Sequence, residues 1–144
     1  MKTDHDLSRF LDAQEQSYKA ALNEIKKGRK QSHWMWYIFP QISGLGFSLT
    51  SRHYALKDLE EATTYLQHPV LGSRLQEITE VLLSLPEKNA TQIFGSPDDL
   101  KLKSSMTLFM QVSGASPIFE DVLKKYFNGS SDLRTLTILS SQAR

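Results

Sequence analysis

From Leu7 onward the apolar residues of this chain recur at spacings of three and four, and that period allows them to be buried together only if the chain is helical. In DLSRFLDAQEQSYKAALNEIKK, Leu7, Phe10, Leu11, Tyr18, Ala21, Leu22 and Ile25 share one face. This predicts an amphipathic helix opened by Asp6 and closed at Gly28. VLGSRLQEITEVLLSL repeats the pattern through Val70, Leu71, Leu75, Ile78, Leu82 and Leu85, with Pro86 beyond its end. Between these long segments the sequence is punctuated by cap residues. Ser48 precedes a short helix reaching Leu56, Asp58 precedes DLEEATTYLQ, and Asn89 precedes a single turn. Ser96-Pro97 and Ser116-Pro117 carry the cap-then-proline pattern, Asp98 and Asp99 fall in a positive first turn, and Gly114 and Asn128-Gly129 are stops. DLRTLTILSS supplies a last short helix. No window alternates with period two between hairpin turns. The expectation is an all-α fold, a single orthogonal-type bundle of about six to eight short helices. One domain covers residues 1–144, with its core at about 7–139.

Several function classes fall away on composition. There are no cysteines, so disulfides, thiolate metal sites and cysteine nucleophiles are excluded. No stretch approaches the roughly 18 apolar residues of a membrane span, and MKTDHDLSRF has no signal-type apolar region. No membrane partner and a cytoplasmic location are expected. The 17 basic and 16 acidic residues leave a formal charge of +1, which weighs against a general nucleic-acid partner. The one dense basic run, Lys26, Lys27, Arg29 and Lys30, fits cations at a helix C-terminus with Gly28 as a left-handed cap. No feature specifies an oligomeric state.

QSHWMWYIFP, residues 31–40, places both tryptophans beside a methionine, a tyrosine and a phenylalanine. Two readings compete: a short helix buried on every side, or an aromatic platform on which a flat ligand stacks. Ser32 is the expected N-cap and Pro40 the stop. Nearby, Gly44 and Gly46 in GLGFS let a ligand approach the main chain. Ser32, Ser48 and Ser96 mark helix N-termini with unpaired N–H groups, and Arg52, Arg74 and Lys101 can neutralise an anion. Lys101, Ser104 and Ser105 share a helical face at i, i+3 and i+4. Such a face can hold a Ser-Lys dyad, or more simply serines that bond back to the preceding turn. His33, His53 and His68 lack the one-helix spacing of a metal site, and His5 belongs to an N-terminal segment expected to be mobile. Neither a metal nor a cofactor is expected. The candidate ligand site is therefore Ser32, His33, Trp34, Trp36, Gly44, Gly46, Ser48, Arg74, Lys101, Ser104 and Ser105, for an anionic, ring-bearing small molecule such as a nucleotide-derived metabolite.

RFLDAQ, SHWMWYIFPQ, GLG followed by Ser48, HPVLGSRL and SPDDLKLKSSMTLF, in this order, resemble an uncharacterised bacterial family of small all-helical proteins. That family is a domain of unknown function whose members are sometimes labelled calpastatin. The resemblance runs from about Leu7 to Leu139 and implies one all-α domain without an assigned activity. Calpastatin inhibitory segments are disordered repeats, and this chain is unrepeated. A looser similarity, in His53-Tyr54, Leu71-Gly72-x-Arg74 and a helix with Met106 and Phe109, is to N-glycosidases tied to NAD, ADP-ribose and riboflavin-pathway metabolites. Those enzymes carry a glutamate before the His-Tyr pair where this chain has Arg52; Glu60 or Glu61 is the available substitute. The alternatives to a binding domain are thus an N-glycosidase or other hydrolase on such a metabolite, or a nucleic-acid or protein interaction module built on residues 26–30.

Overall fold

The amphipathic stretch from Leu7 to Ile25 forms α1 (Ser8–Lys26) in the computed structural model, which describes residues 6–143. His5 lies outside the described residues. Asp6 accepts a hydrogen bond from the Ser8 N–H at 2.9 Å, and Gly28, at φ 80°, turns the chain out of the helix. Its N–H donates to the Ile25 carbonyl at 2.8 Å and that of Arg29 to Glu24 at 3.0 Å, the expected left-handed cap. There follow α2 (Met35–Ile38), α3 (Leu49–Tyr54), α4 (Leu59–Gln67), α5 (Leu71–Ser84), α6 (Ala90–Phe94), α7 (Asp98–Met110), α8 (Ile118–Phe127) and α9 (Leu133–Gln142). The described residues therefore form an all-α bundle of nine helices. The number reaches nine because one-turn segments such as α2 and α6 stand as helices of their own.

Side chains cap α3, α4, α6 and α9. Ser48, Asp58, Asn89 and Asp132 each accept from a backbone N–H in the first turn that follows. The two Ser-Pro sites differ from expectation in that Pro97 and Pro117 themselves occupy the cap positions of α7 and α8, although the Ser116 hydroxyl still accepts from the first N–H of α8, that of Ile118, at 3.4 Å. The α5 C-terminus is closed from α8, where Tyr126 donates to the Leu82 carbonyl at 2.7 Å and the Lys125 ammonium to those of Leu83 and Leu85.

α7 is the central helix because SSMTLF has no polar face: Leu102 and Ser104 through Phe109 are all buried. It packs against α4, α6, α8 and α9, while α5 packs against α1, α4 and α8. A line of rings crosses the core from Phe10 to Tyr65, Phe109 and Phe119, with centroids 5.1, 5.5 and 5.7 Å apart in turn. Gly72 sets the approach of α5 to α4, since a Cβ there would sit 2.0 Å from the Leu66 carbonyl oxygen. Among the described residues, no helix is long and apolar enough to cross a membrane.

Candidate aromatic ligand cleft

The two readings of QSHWMWYIFP divide between its residues. Trp34, Met35, Ile38 and Phe39 are buried, His33 is exposed, and Trp36 and Tyr37 are half-buried at the rim of a cleft. What holds this turn is Glu24, near the end of α1. Its carboxylate accepts from the N–H of Gln31 at 2.7 Å, the N–H and hydroxyl of Ser32 at 3.0 and 2.5 Å, and the Trp34 indole at 2.8 Å. Burial alone would raise the Glu24 pKa, but these donors outweigh it and bring it down to about 2. Ser32 is thus committed to Glu24 and does not cap α2, whose cap position is Trp34 and which has no side-chain cap bond. Trp34, only 1% exposed, packs near Phe39 and Phe94 and offers no face to a ligand.

The outward rings meet α3. His33, Trp36 and Tyr37 on one side, with Leu49, Thr50, His53 and Tyr54 on the other, line a cleft of about 600 Å³. Tyr54 lies 5.1 Å from the Tyr37 ring and 4.6 Å from the His53 ring, centroid to centroid. The loop that carries α3 is held at its base by a parallel bridge between Ile42 and Leu56. There the Ser43 N–H donates to Leu56 at 2.7 Å and the Leu56 N–H to Gln41 at 2.9 Å. Arg9 reaches from α1 to the carbonyls of His53, at 2.7 Å, and Ala55, at 3.0 Å, satisfying acceptors at the α3 C-terminus. Tyr37 is fixed by its hydroxyl, 2.8 Å from Ser17 Oγ. Gly46 allows the loop to fold onto α3: a Cβ there would lie 2.6 Å from that of Ser51.

Gly44 and Gly46 line a narrow groove that continues from the cleft, shared with Trp36, Ser51, Arg52 and Tyr54. Beyond it a second cleft, of about 360 Å³, is lined by Lys101, Ser104, Lys103 and Arg134 together with Gly46 and Ser51. Lys101 joins the two sides, with its ammonium 4.7 Å from the Trp36 ring centroid and 3.1 Å from Asp98. Asp98 also pairs with Lys30 at 2.9 Å, which removes the last cation of the 26–30 run from the surface. Three other candidates lie elsewhere. Arg74 packs between α1 and α5, its guanidinium 5.1 Å from the Tyr18 ring and 3.4 Å from Gln14. Ser105 is fully buried, with no hydrogen-bond partner for its hydroxyl. Ser48 is occupied as the α3 cap.

No Ser-Lys dyad forms, because Ser104 bonds back to the Leu100 carbonyl at 3.1 Å while Lys101 turns to Asp98 and Trp36. His68 accepts from the N–H groups of Val70 and Leu71 through Nδ1, at 3.1 and 3.2 Å, and opens α5. Glu61 is 5% exposed and turned toward Arg9 and the Lys57 N–H, away from the cleft lining. Among the described residues, no three His, Asp or Glu side chains come together as metal ligands.

Tyr37, Tyr54, Lys103 and Arg134 enter the lining without having stood out in the sequence as binding residues. Tyr37 and Tyr54 had a signal, an aromatic on each of two short helices joined by a glycine loop. Lys103 and Arg134 had none: Arg134 is brought beside Lys103, which lies on α7, by the packing of α9 on that helix.

The family model described as "Protein of unknown function (DUF1810)" matches residues 4–139. The crystal structure of a conserved hypothetical protein from Mycobacterium tuberculosis superposes with a TM-score of 0.92 at 46% sequence identity, covering 94% of this chain and 96% of that one. No curated protein matches the chain.

Proposed function

We propose, for a chain that belongs to the DUF1810 family of proteins of unknown function, that it is a small-molecule binding domain whose aromatic cleft takes a flat ring from an anionic, nucleotide-derived metabolite. The observation that carries this reading is the convergence of Trp36, Tyr37, Tyr54 and two histidines on one open cleft, with Lys101 against the Trp36 ring at its edge. Stacking of a base on such a ring contributes on the order of 1 to 3 kcal/mol. The platform is held in place beforehand by the Glu24-bound turn and the Ile42–Leu56 bridge, which lowers the ordering cost of binding. The described lining contains no carboxylate, which favours binding over glycosidic hydrolysis.

The test is a titration of the purified protein with nucleotides, NAD, flavins and sugar phosphates, read by tryptophan fluorescence and by Tm. A ligand at 100 times its Kd adds about 2.7 kcal/mol of stability. The expected result is a saturable response in both readouts with ring-bearing anions, and no fluorescence response with ring-free sugar phosphates. Trp36→Ala should abolish it, while Trp34→Phe should keep it. Silence across the panel in a folded wild-type protein would refute the reading.

A further inference from the structure

The aromatic cleft ends at a loop with cations on its other side. The narrow groove floored by Gly44 and Gly46 shares Trp36 and Tyr54 with the aromatic cleft. It shares Gln41, Leu45, Gly46 and Ser51 with the second cleft. The three depressions therefore follow one another around a single loop, with rings at one end and Lys101, Lys103 and Arg134 at the other.

The charges at the far end differ in availability. Lys101 is held between Asp98 and Trp36. Lys103 extends over the Phe127 ring, 5.9 Å away. Arg134 is exposed and, among the described residues, forms no ion pair, so its guanidinium is open to a ligand. The one carboxylate in the lining, Asp132, is turned into its own helix: Oδ2 accepts from the Thr135 N–H at 3.0 Å and from its hydroxyl at 2.6 Å. Its hydrogen-bonding oxygen is thus committed to α9. The lining carries three cations against this one carboxylate, and Pro97, Leu45 and Leu100 give it apolar walls that strengthen charge recognition by excluding water.

We infer that this second cleft binds the phosphate end of the ligand, so that the substrate class is a ring joined through a linker to one or more phosphoryl groups, with Arg134 and Lys103 as the phosphate-binding residues. Arg134 supplies a planar fork suited to two phosphate oxygens, and Lys103 supplies a point charge. The linker would cross the loop along the groove over Gly44 and Gly46, which shares lining residues with both clefts. This inference rests on the ring-binding reading of the aromatic cleft and adds to it the second point of attachment.

The experiment compares matched nucleosides, their 5′-monophosphates and their diphosphates by calorimetry at low salt, on wild type, Arg134→Ala and Lys103→Ala. Both positions line the second cleft and not the aromatic one, and each variant's Tm serves as the fold check. Wild type should bind the monophosphate about tenfold or more tighter than the nucleoside. Arg134→Ala should lose most of that ratio and leave nucleoside affinity unchanged, and inorganic pyrophosphate should compete with the nucleotide. Equal binding of nucleoside and nucleotide, or a ratio untouched by both substitutions, would overturn the phosphate assignment while leaving the ring cleft standing. Binding of neither nucleoside nor nucleotide would remove the ring cleft, and this inference with it. Preference for a single-stranded oligonucleotide over every mononucleotide would also overturn it, by making the two clefts parts of a strand-binding track.

Discussion

Replacing Glu24 with glutamine tests whether one carboxylate holds the tryptophan-rich turn in place. In the native protein that carboxylate accepts four hydrogen bonds, one of them from the indole of a tryptophan that is 1% exposed. Its pKa falls from the ordinary 4.5 to about 2, because those bonds outweigh the cost of burial. At about 1.4 kcal/mol per tenfold change in proton affinity, this sets an upper figure of roughly 3 kcal/mol, and partial exposure reduces it to roughly 2. A folded-state pKa below the unfolded value gives stability that is fully present above about 4.5 and is lost as the pH falls through about 2. Glu24→Gln removes the charge and keeps one acceptor oxygen, so it should cost about 2 kcal/mol at pH 7. Glu24→Ala leaves all four donors without this acceptor, including the buried indole N–H, and should cost about 3 kcal/mol. The assay is urea unfolding followed by tryptophan fluorescence at pH 7, 5, 4 and 3. Glu80→Gln serves as a control, because exposed Glu80 makes one surface hydrogen bond, to Gln76, and it should change stability by less than about 0.5 kcal/mol. A Glu24→Gln protein as stable as wild type at pH 7, or a deficit that stays constant down to pH 3, would refute the reasoning.

The two tryptophans should separate in the same assay. Trp34→Ala is expected to cost about 3 to 5 kcal/mol as a core truncation, and Trp36→Ala about 1 kcal/mol because half-buried Trp36 leaves a smaller void; equal costs would contradict the division of the segment. Gly72→Ala places a Cβ 2.0 Å from the Leu66 carbonyl oxygen and must push α4 from α5. A loss of about 3 kcal/mol in thermal unfolding is expected, against a gain of a few tenths if the helix were free to accept alanine. Burial raises the Asp98 pKa, but Lys30 and Lys101 outweigh it and hold the carboxyl below its ordinary value. The stability from this pair is present above about 3.8 and lost as the pH falls further. Asp98→Asn should cost about 1 to 2 kcal/mol at pH 7, with Lys30 left largely buried and unpaired, and the deficit should shrink below pH 4 in urea titrations.

How much of this was legible in the sequence depends on how local each cause is. α1, α4 and α5 follow from apolar period and adjacent stops, and Ser48, Asp58 and Asn89 cap as read because a cap acts within three residues. Ser32 misled for the complementary reason. It has the residue type and position of a cap, but Glu24, eight residues earlier and on another helix, takes both its N–H and its hydroxyl. Arg74 and Lys101 looked alike as isolated cations. One is drawn to Tyr18 and Gln14 by the packing of α5 on α1, and the other extends from α7 to the Trp36 ring, so only the second borders the cleft. Arg134 was beyond reach, since apart from Asp132 the residues that share its cleft belong to distant segments, the glycine loop and α7.

The inward and outward residues of 31–40 are linked mechanically, and the proposed ring-binding role draws on that link. A four-residue helix has almost no stability of its own, because nucleation costs more than one turn returns. α2 persists because Trp34, Met35, Ile38 and Phe39 are anchored in the core and Glu24 fixes the chain before it. Trp36 and Tyr37 therefore project from a turn whose freedom is already removed. Tyr37 is further held by Ser17, while its backbone carbonyl accepts from buried Gln14 at 2.8 Å. Loosening the anchor should thus act on the cleft at a distance. Glu24→Gln, which touches no cleft residue, should weaken ring binding by raising its ordering cost. Arg134→Ala should leave the platform stiff and alter only the phosphate increment. A Glu24→Gln protein that binds nucleoside as tightly as wild type would show that the rings need no such support, and would separate the buried half of the segment from its exposed half.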